Sequence, residues 1–295
     1  MKAWTQGLAY LDGEFVAIAD ATISVMDSGF LMGLNIYDSV SLYEGYLFRP
    51  EAALRRFLRS AKHVKFDLPH SPEALKELVF EVARRSGLRE GVVNVIATRG
   101  IRQPDLPVEK WPANLIIIAV PPLILLTSEK RSKGLRMKIS TIRNIPAQCL
   151  EPRVKNYNRL YSHMAILDAH DAGYDDAILL DIEGAVTEGP NYNIFAVIEK
   201  KLLTPAVGVL EGITRDTIVQ IANELAIPVE ERLLYPYDLY NADEIFVCST
   251  LRGAIGVVDV DSRIVGSGRP GPITTAINTT YWQWHTKPPH GIPVS

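Results

Sequence analysis

The sequence predicts an α+β protein of two domains, and three observations carry that prediction. Dense β-branched and apolar runs such as "GVVNVIATRG" and "NLIIIAVPP" are interspersed with segments whose apolar residues recur at helical spacing. A proline-broken and then charged stretch, "PPLILLTSEKRSKG", interrupts the pattern. A chain of 295 residues, 47% of them hydrophobic, is long enough to bury one large core or two ordinary ones. The expected division is a first domain over 1–121, a linker over 122–135 and a second domain over 136–295.

In the first domain, "YLDGEFVAIADATISV" and "VSLYEGYLFR" read as short strands closed by turns at Asp12-Gly13 and Glu44-Gly45. The clearest helix is "SPEALKELVFEVARRSG", with Ser71 as N-cap, Pro72 at the first position and Gly87 as the stop. Its Leu75, Leu78, Val79 and Val82 share one face. The two dense runs read as strands covered on both faces, which makes this part a layered α+β domain.

In the second domain, "RMKISTIRN", "DDAILLD", "NIFAVIEKKLLTP" and "DEIFVCST" read as strands. Residues near 156–171 and 214–226 read as helices that stop before Gly173 and Pro228. Many strands and few helices suggest a barrel-like or sandwich-like sheet system. The tail "TKPPHGIPVS" is expected to be loose.

Charge and cysteine content exclude several functions. The net charge is −3 and the basic residues are dispersed, so there is no field to attract nucleic acid. Cys149 and Cys248 are the only cysteines, too few for a disulfide framework or a cysteine metal site, which fits a reducing compartment. The opening residues lack a secretory pattern and the longest apolar runs are too short to span a bilayer, so the expected location is the cytoplasm, away from any membrane.

Four segments can carry chemistry. Lys155 lies between an extended region and a helix with Leu160, Met164 and Leu167 on its expected buried face, so its stem is expected to enter the protein. A desolvated lysine is a nucleophile that forms Schiff bases with carbonyls, whereas an ordinary lysine is a hydrated surface ammonium. Glu188 in "VTEGPNYNIF" is either a turn residue or a carboxylate facing a protonated ring nitrogen. In "GVLEGITRDT" a glycine-bearing turn runs into a helix capped by Thr214, a geometry that binds phosphate, although most such turns bind nothing. In "FVCSTLRG", Ser249 and Thr250 close a strand and can add hydroxyl and N–H donors to the same phosphate.

The order of these segments, with "VKN", "TEGPNYNIF", "GVLEGITR" and a closing "GRPGPIT", resembles the class IV aminotransferases. These are pyridoxal-phosphate enzymes of fold type IV and include branched-chain and D-amino-acid aminotransferases, (R)-selective amine transaminases and aminodeoxychorismate lyases. The resemblance implies a small N-terminal α/β domain, a larger C-terminal pseudo-barrel domain with pyridoxal 5'-phosphate between them, and a homodimer. It implies that Lys155 forms the Schiff base and carries the proton, and that Glu188 holds the pyridine nitrogen. Arg56, four positions before Ser60, matches the phosphate-binding arginine, with Arg55 as the one-residue slip. Leu210 would pack on the ring, with Ile213, Thr214 and Thr250 contacting the phosphate.

The subfamily rests on shorter signals. Tyr37 takes the aromatic position of the substrate pocket, and Tyr37-Asp38 looks more like the amine transaminases than like the Phe-Glu-Gly of branched-chain enzymes, as do "ARRSGLREGVVNVIATRG" and "ADEIFVCST". That favours an (R)-amine or D-amino-acid transaminase moving an amino group to an α-keto acid by a ping-pong mechanism. The alternatives are a branched-chain L-amino-acid aminotransferase, an aminodeoxychorismate-type lyase and a non-catalytic cofactor-binding homologue. Leu251 and Arg252 stand where small residues usually follow the threonine, and Arg159 replaces an aromatic. A keto-acid carboxylate needs a cation, for which Arg99, Arg102, Arg159 and Arg252 are candidates.

Overall fold

Asp12 and Glu44 both adopt left-handed backbone, each with φ of 52°, and each is followed by glycine. Turns of that hand match the twist of paired antiparallel strands, so each closes a hairpin. The computed structural model describes residues 5–122 and 128–294. Its elements in chain order begin β1 (Leu8–Leu11), β2 (Glu14–Ala17), α1 (Ser28–Leu31), β3 (Asn35–Tyr43), β4 (Tyr46–Phe48), α2 (Pro50–His63), α3 (Pro72–Ser86), β5 (Gly91–Thr98) and β6 (Asn114–Val120). There follow α4 (Ser128–Lys133), β7 (Leu135–Arg143), α5 (Leu160–Asp171), β8 (Asp176–Leu180), β9 (Asn193–Ile198), β10 (Lys201–Pro205), α6 (Ile213–Glu224) and β11 (Val229–Arg232). The chain closes with α7 (Pro236–Tyr240), β12 (Glu244–Ser249), β13 (Gly253–Val260), β14 (Arg263–Ile264), α8 (Pro272–Trp284) and β15 (Gly291–Pro293).

Two compact units emerge, one of Met1–Leu123, Val154–Asn158 and Trp284–Ser295, the other of Ile124–Arg153 and Arg159–Gln283. The first unit thus takes in two segments from far along the chain. Of the stretch expected to link the domains, residues 123–127 lie outside the described residues, and α4 occupies its charged end.

The first unit is built on an antiparallel sheet in the order β15-β4-β3-β5-β6-β1-β2. Ile36, Val93, Val95, Ile117 and Phe57 are fully buried in it. Helix α3 begins and ends where its sequence says: the Ser71 hydroxyl accepts from the Ala74 N–H at 3.2 Å, and Gly87 ends the helix in left-handed conformation. The tail is a correction. Instead of being loose, residues 291–293 pair with β4, and the Arg49 N–H donates to the His290 carbonyl at 2.8 Å. The reason is an open edge: β4 is a short outer strand whose unpaired backbone groups accept one more strand.

The second unit holds a mixed sheet in the order β11-β10-β9-β12-β13-β7-β8, with β14 on β13. The pairs β10–β11, β13–β7 and β7–β8 are parallel. "NIFAVIEKKLLTP" is a hairpin, turned at Glu199 and Lys200 with φ of 50° and 63°. Leu135, Met137, Ile178, Ile194, Val247 and Ile255 form its core.

Helix α5 corrects another expectation. Leu160, Met164 and Leu167 are 76%, 46% and 41% exposed, while Ser162, Ala165 and Ala169 are buried. Ala165 and Ala169 pack with Ala177 and Leu179 of β8, and their small side chains let the helix come close to the sheet. The larger apolar residues are left on the outer face.

Candidate active site

The expected site residues fall into two groups, one in each unit. In the first unit, Lys155 is held by its neighbours to β3. The Tyr37 N–H donates to the Lys155 carbonyl at 3.0 Å, the Tyr157 N–H donates to Asn35 Oδ1 at 2.8 Å, and Asn158 Nδ2 donates to the Gly33 carbonyl at 3.2 Å. The Tyr37 and Tyr157 rings stack at 3.8 Å, 6° from parallel, and Lys155 Nζ lies 4.6 Å from the centroid of the Tyr37 ring. Four bonded residues therefore separate Lys155 from α5, and a half-buried amine sits against an aromatic wall. Tyr157 keeps 42% of its surface exposed, and desolvation of its buried part raises the phenol pKa, with Tyr37 and Asp38 adding to the effect.

Arg56, on the buried face of α2, reaches Asp38 on β3 through two hydrogen bonds, Nε to Oδ2 and Nη2 to Oδ1, both 2.8 Å. The two side chains are 5% and 1% exposed. A bidentate pair of this kind keeps a cation in a fixed orientation at a depth where an unpaired one is costly.

Arg99 and Arg102 differ. The Arg99 guanidinium donates to the carbonyls of Lys65 and Val64 at 2.7 and 2.5 Å, just past the end of α2, and stacks 4.2 Å from the Phe66 ring centroid. Burial pulls its pKa below the ordinary value, which the Glu109 charge opposes. Arg102 is exposed on the loop after Gly100, whose carbonyl accepts from both the N–H and the hydroxyl of Ser28 at 2.8 and 2.7 Å. The root of that loop is fixed while its arginine is not buried.

In the second unit, Glu188 stands beside the turn that leads into α6. Its Oε2 accepts from the Leu210 N–H at 3.0 Å, and the Leu210 carbonyl accepts from Asn193 Nδ2 at 2.9 Å. The carboxylate and the turn are thus tied together. Helix α6 begins two positions earlier than a cap at Thr214 implies: its N-cap is Gly212, with no side-chain cap, and Thr214 sits buried within the first turn beside Ile213. Glycine is needed here for space, since a Cβ on Gly212 would lie 1.9 Å from Asn193 Oδ1. An uncapped helix start directs its first N–H groups outward, where an anion is stabilised.

The turn after β12 lies against α8. Tyr281, fully buried, donates from its hydroxyl to the Thr250 carbonyl at 3.2 Å and stands 3.3 Å from the Thr214 hydroxyl. Ser249 and Leu251 are half-buried in that turn. The Arg252 guanidinium lies 4.8 Å from the Tyr192 ring centroid, lowered in pKa by burial and supported by Asp176. Burial in turn raises Asp176, which the Ala177 N–H and the charge of Arg252 oppose. Arg159, the residue before α5, donates to Asn191 Oδ1 at 3.1 Å.

These donors and acceptors fit a phosphorylated ring cofactor. In the second unit an uncapped helix start and a buried Thr214 suit a phosphate and the positioned carboxylate of Glu188 suits a protonated ring nitrogen. In the first unit, taken by itself, Lys155 offers an amine. Sequence reasoning assigned nothing to Asn193, Gly212, Tyr157 or Tyr281. Asn193 and Gly212 lie within motifs it singled out, whereas Tyr281 carries no local signal because its partners are 31 and 67 residues away.

Comparison with known proteins identifies the family. The family model for amino-transferase class IV matches residues 35–260. The branched-chain-amino-acid aminotransferase of Salmonella typhimurium is 30% identical over 281 residues, covering 92% of this chain and 91% of that one. The crystal structure of the T.th. branched-chain amino acid aminotransferase with pyridoxamine 5'-phosphate superposes with a TM-score of 0.92 at 30% identity, over 99% of this chain and 100% of that one. The branched-chain aminotransferase of Thermoproteus uzoniensis with norvaline gives 0.90 at 32% identity, over 98% and 99%. These comparisons favour the branched-chain alternative over the (R)-amine or D-amino-acid type drawn from Tyr37-Asp38. Tyr37-Asp38 and two short segments are a small part of 281 aligned positions, and tyrosine and phenylalanine offer the same ring face to an apolar group.

Proposed function

The chain belongs to the class IV aminotransferase family, and from that premise we propose that it transfers the amino group of branched-chain L-amino acids to an α-keto acid. What carries the choice of substrate is the branched-chain name shared by relatives that match more than nine-tenths of the chain. The stacked Tyr37 and Tyr157 rings beside Lys155 are consistent with it, since an aliphatic side chain packs well on a flat apolar face.

Enzymes of this family use pyridoxal phosphate, which when bound supplies an electron-accepting ring and an amino-group carrier. With pyridoxal phosphate bound, Lys155 Nζ would be the amine that holds it, and once released by the amino donor it would carry the proton from the substrate α-carbon to the second carbon centre. The aromatic wall keeps that amine close to its working position. Glu188 keeps the ring nitrogen protonated, its Oε2 aligned by the Leu210 N–H. In the second unit the first turn of α6, with Ile213 and Thr214, and the Ser249–Thr250 turn would hold the phosphate, and Arg56 of the first unit, fixed by Asp38, would supply a cation for it. Arg102, exposed on a loop with a fixed root, is the proposed partner of the substrate carboxylate, while Arg99 is committed to the carbonyls beyond α2. Assembly as a cytoplasmic homodimer belongs to the same proposal, and light scattering at micromolar concentration tests the dimer.

The decisive experiment is the half-reaction. The cofactor-loaded protein is mixed with L-leucine, L-valine, D-alanine and both enantiomers of 1-phenylethylamine while the absorbance above 400 nm is followed. Rapid bleaching by L-leucine and L-valine is expected. Bleaching by the (R)-amine or D-alanine alone would overturn the substrate assignment.

A further inference from the structure

Beyond its first turn, where the "GRPGPIT" segment ends, helix α8 carries no residue singled out from the sequence, yet it touches both halves of the proposed phosphate cup. Tyr281 is 0% exposed, and its hydroxyl lies within hydrogen-bonding distance of the Thr250 carbonyl and the Thr214 hydroxyl, at 3.2 and 3.3 Å. Three residues beyond Thr250, Gly253 has φ of 61°, and a Cβ there would lie 2.6 Å from Asn278 Oδ1 and 3.1 Å from the Tyr281 ring. Asn278 Oδ1 accepts from the Ala254 N–H at 3.1 Å. The turn after β12 is therefore pressed onto one face of α8, and the same face reaches the first turn of α6.

The hydroxyl chemistry gives this contact a direction. Tyr281 has one proton, and in the described arrangement it goes to the Thr250 carbonyl, which can only accept. The Thr214 hydroxyl then donates to the Tyr281 oxygen. A phosphate at the start of α6 requires that Thr214 proton for itself. The Tyr281 proton can then swing to the Thr214 oxygen and keep it satisfied, so that Thr214 gives its proton to the anion without being left short of a donor.

We propose that Tyr281 is a positioning residue for the cofactor phosphate: its one proton ties Thr250 to Thr214 before the anion binds, and moves to the Thr214 oxygen when Thr214 gives its own proton to the anion. This rests on the reading of the site as a pyridoxal-phosphate centre. It concerns phosphate alone, so a ligand with the same ring and no phosphate should be indifferent to it.

The test is Tyr281→Phe, which keeps the buried ring and removes only the hydroxyl. Apo-protein is titrated with pyridoxal phosphate and, separately, with pyridoxal, by visible absorbance, and the ³¹P resonance of bound pyridoxal phosphate is recorded. A melting curve without cofactor shows that the variant is folded. Affinity for pyridoxal phosphate should fall about fivefold, the size of one lost hydrogen bond, with a displaced ³¹P resonance and unchanged affinity for pyridoxal. Equal loss for both ligands, or no loss for either with an unmoved resonance, would overturn the inference alone. Failure of the unsubstituted protein to take up pyridoxal phosphate would overturn the underlying reading and this inference with it.

Discussion

The backbone N–H of Tyr37 donates to the carbonyl of Lys155 at 3.0 Å, and the amine of the same lysine lies 4.6 Å from the centroid of the Tyr37 ring. One strand residue thus fixes both ends of the lysine. Asn35 holds the next turn through the Tyr157 N–H, and ring stacking closes the arrangement. Because Tyr37 and Lys155 are far apart in the chain, the lysine's position depends on β3 and not on the helix that follows it.

The ion pair next to Tyr37 should matter for stability. Asp38→Asn leaves Arg56 a buried cation without its carboxylate, since the two side chains are only 1% and 5% exposed. We expect a loss of about 3–5 kcal/mol in urea unfolding, the usual cost of breaking a buried pair from one side. A change below about 0.5 kcal/mol would show that the pair is not what keeps Arg56 in place.

Gly212 makes room for an amide. Gly212→Ala puts a methyl group 1.9 Å from Asn193 Oδ1, so Asn193 must move and its bond to the Leu210 carbonyl must lengthen or break. The expected cost is about 1–3 kcal/mol in stability. Weaker binding of pyridoxal phosphate should accompany it, measurable in the same absorbance titration.

Glu188→Gln should separate binding from turnover. Glutamine can still accept from the Leu210 N–H but carries no charge to hold a ring nitrogen protonated. We expect the cofactor to bind and kcat to fall by on the order of 10²-fold or more, a typical loss for a proton-managing group. Stopped-flow measurement of the half-reaction checks it, and unchanged kcat would remove Glu188 from the mechanism.

Asp168 predicts a pH dependence. The hydrogen bond from Lys138 Nζ at 2.7 Å, joined by the Ser140 hydroxyl and the Thr141 N–H, holds its carboxyl below the ordinary value against partial desolvation. A carboxylate depressed on folding stabilises the protein above its unfolded pKa and loses that contribution as pH falls through the folded one. Asp168→Asn should therefore cost roughly 1 kcal/mol near neutral pH, and the gap between variant and parent should close as pH falls through and below the ordinary aspartate range. Urea melts across that range provide the check; a gap that stays constant would contradict the assignment.

Much of the fold could be read locally. Ser71, Pro72 and Gly87 bound α3 because caps and stops are properties of a few adjacent residues. The turns at Asp12 and Glu44 were legible for the same reason. The buried face of α5 was not: Leu160, Met164 and Leu167 share a helical spacing with Ser162, Ala165 and Ala169, and only the closeness of the sheet decides which set turns inward. The pairing of residues 291–293 with β4 was hidden because Gly-Ile-Pro is a poor strand by composition, and its partner edge is some 240 residues earlier in the chain. At the site, Lys155 and Glu188 lie in ordered motifs, whereas Tyr281 acts across 67 residues on Thr214 and leaves no trace in either segment. Substrate preference was least legible, since Tyr37-Asp38 distinguishes subfamilies by two side chains of similar shape and charge to those they replace.

The central claim is that Lys155 is the amine that binds the cofactor. Holo-protein is reduced with sodium borohydride, digested, and its peptides sequenced by mass spectrometry, with Lys155→Ala treated in parallel. The account predicts a phosphopyridoxyl mass on Lys155 alone, at close to one per chain, and none in the variant. The label on another lysine, or equal labelling of the Lys155→Ala protein, would contradict it.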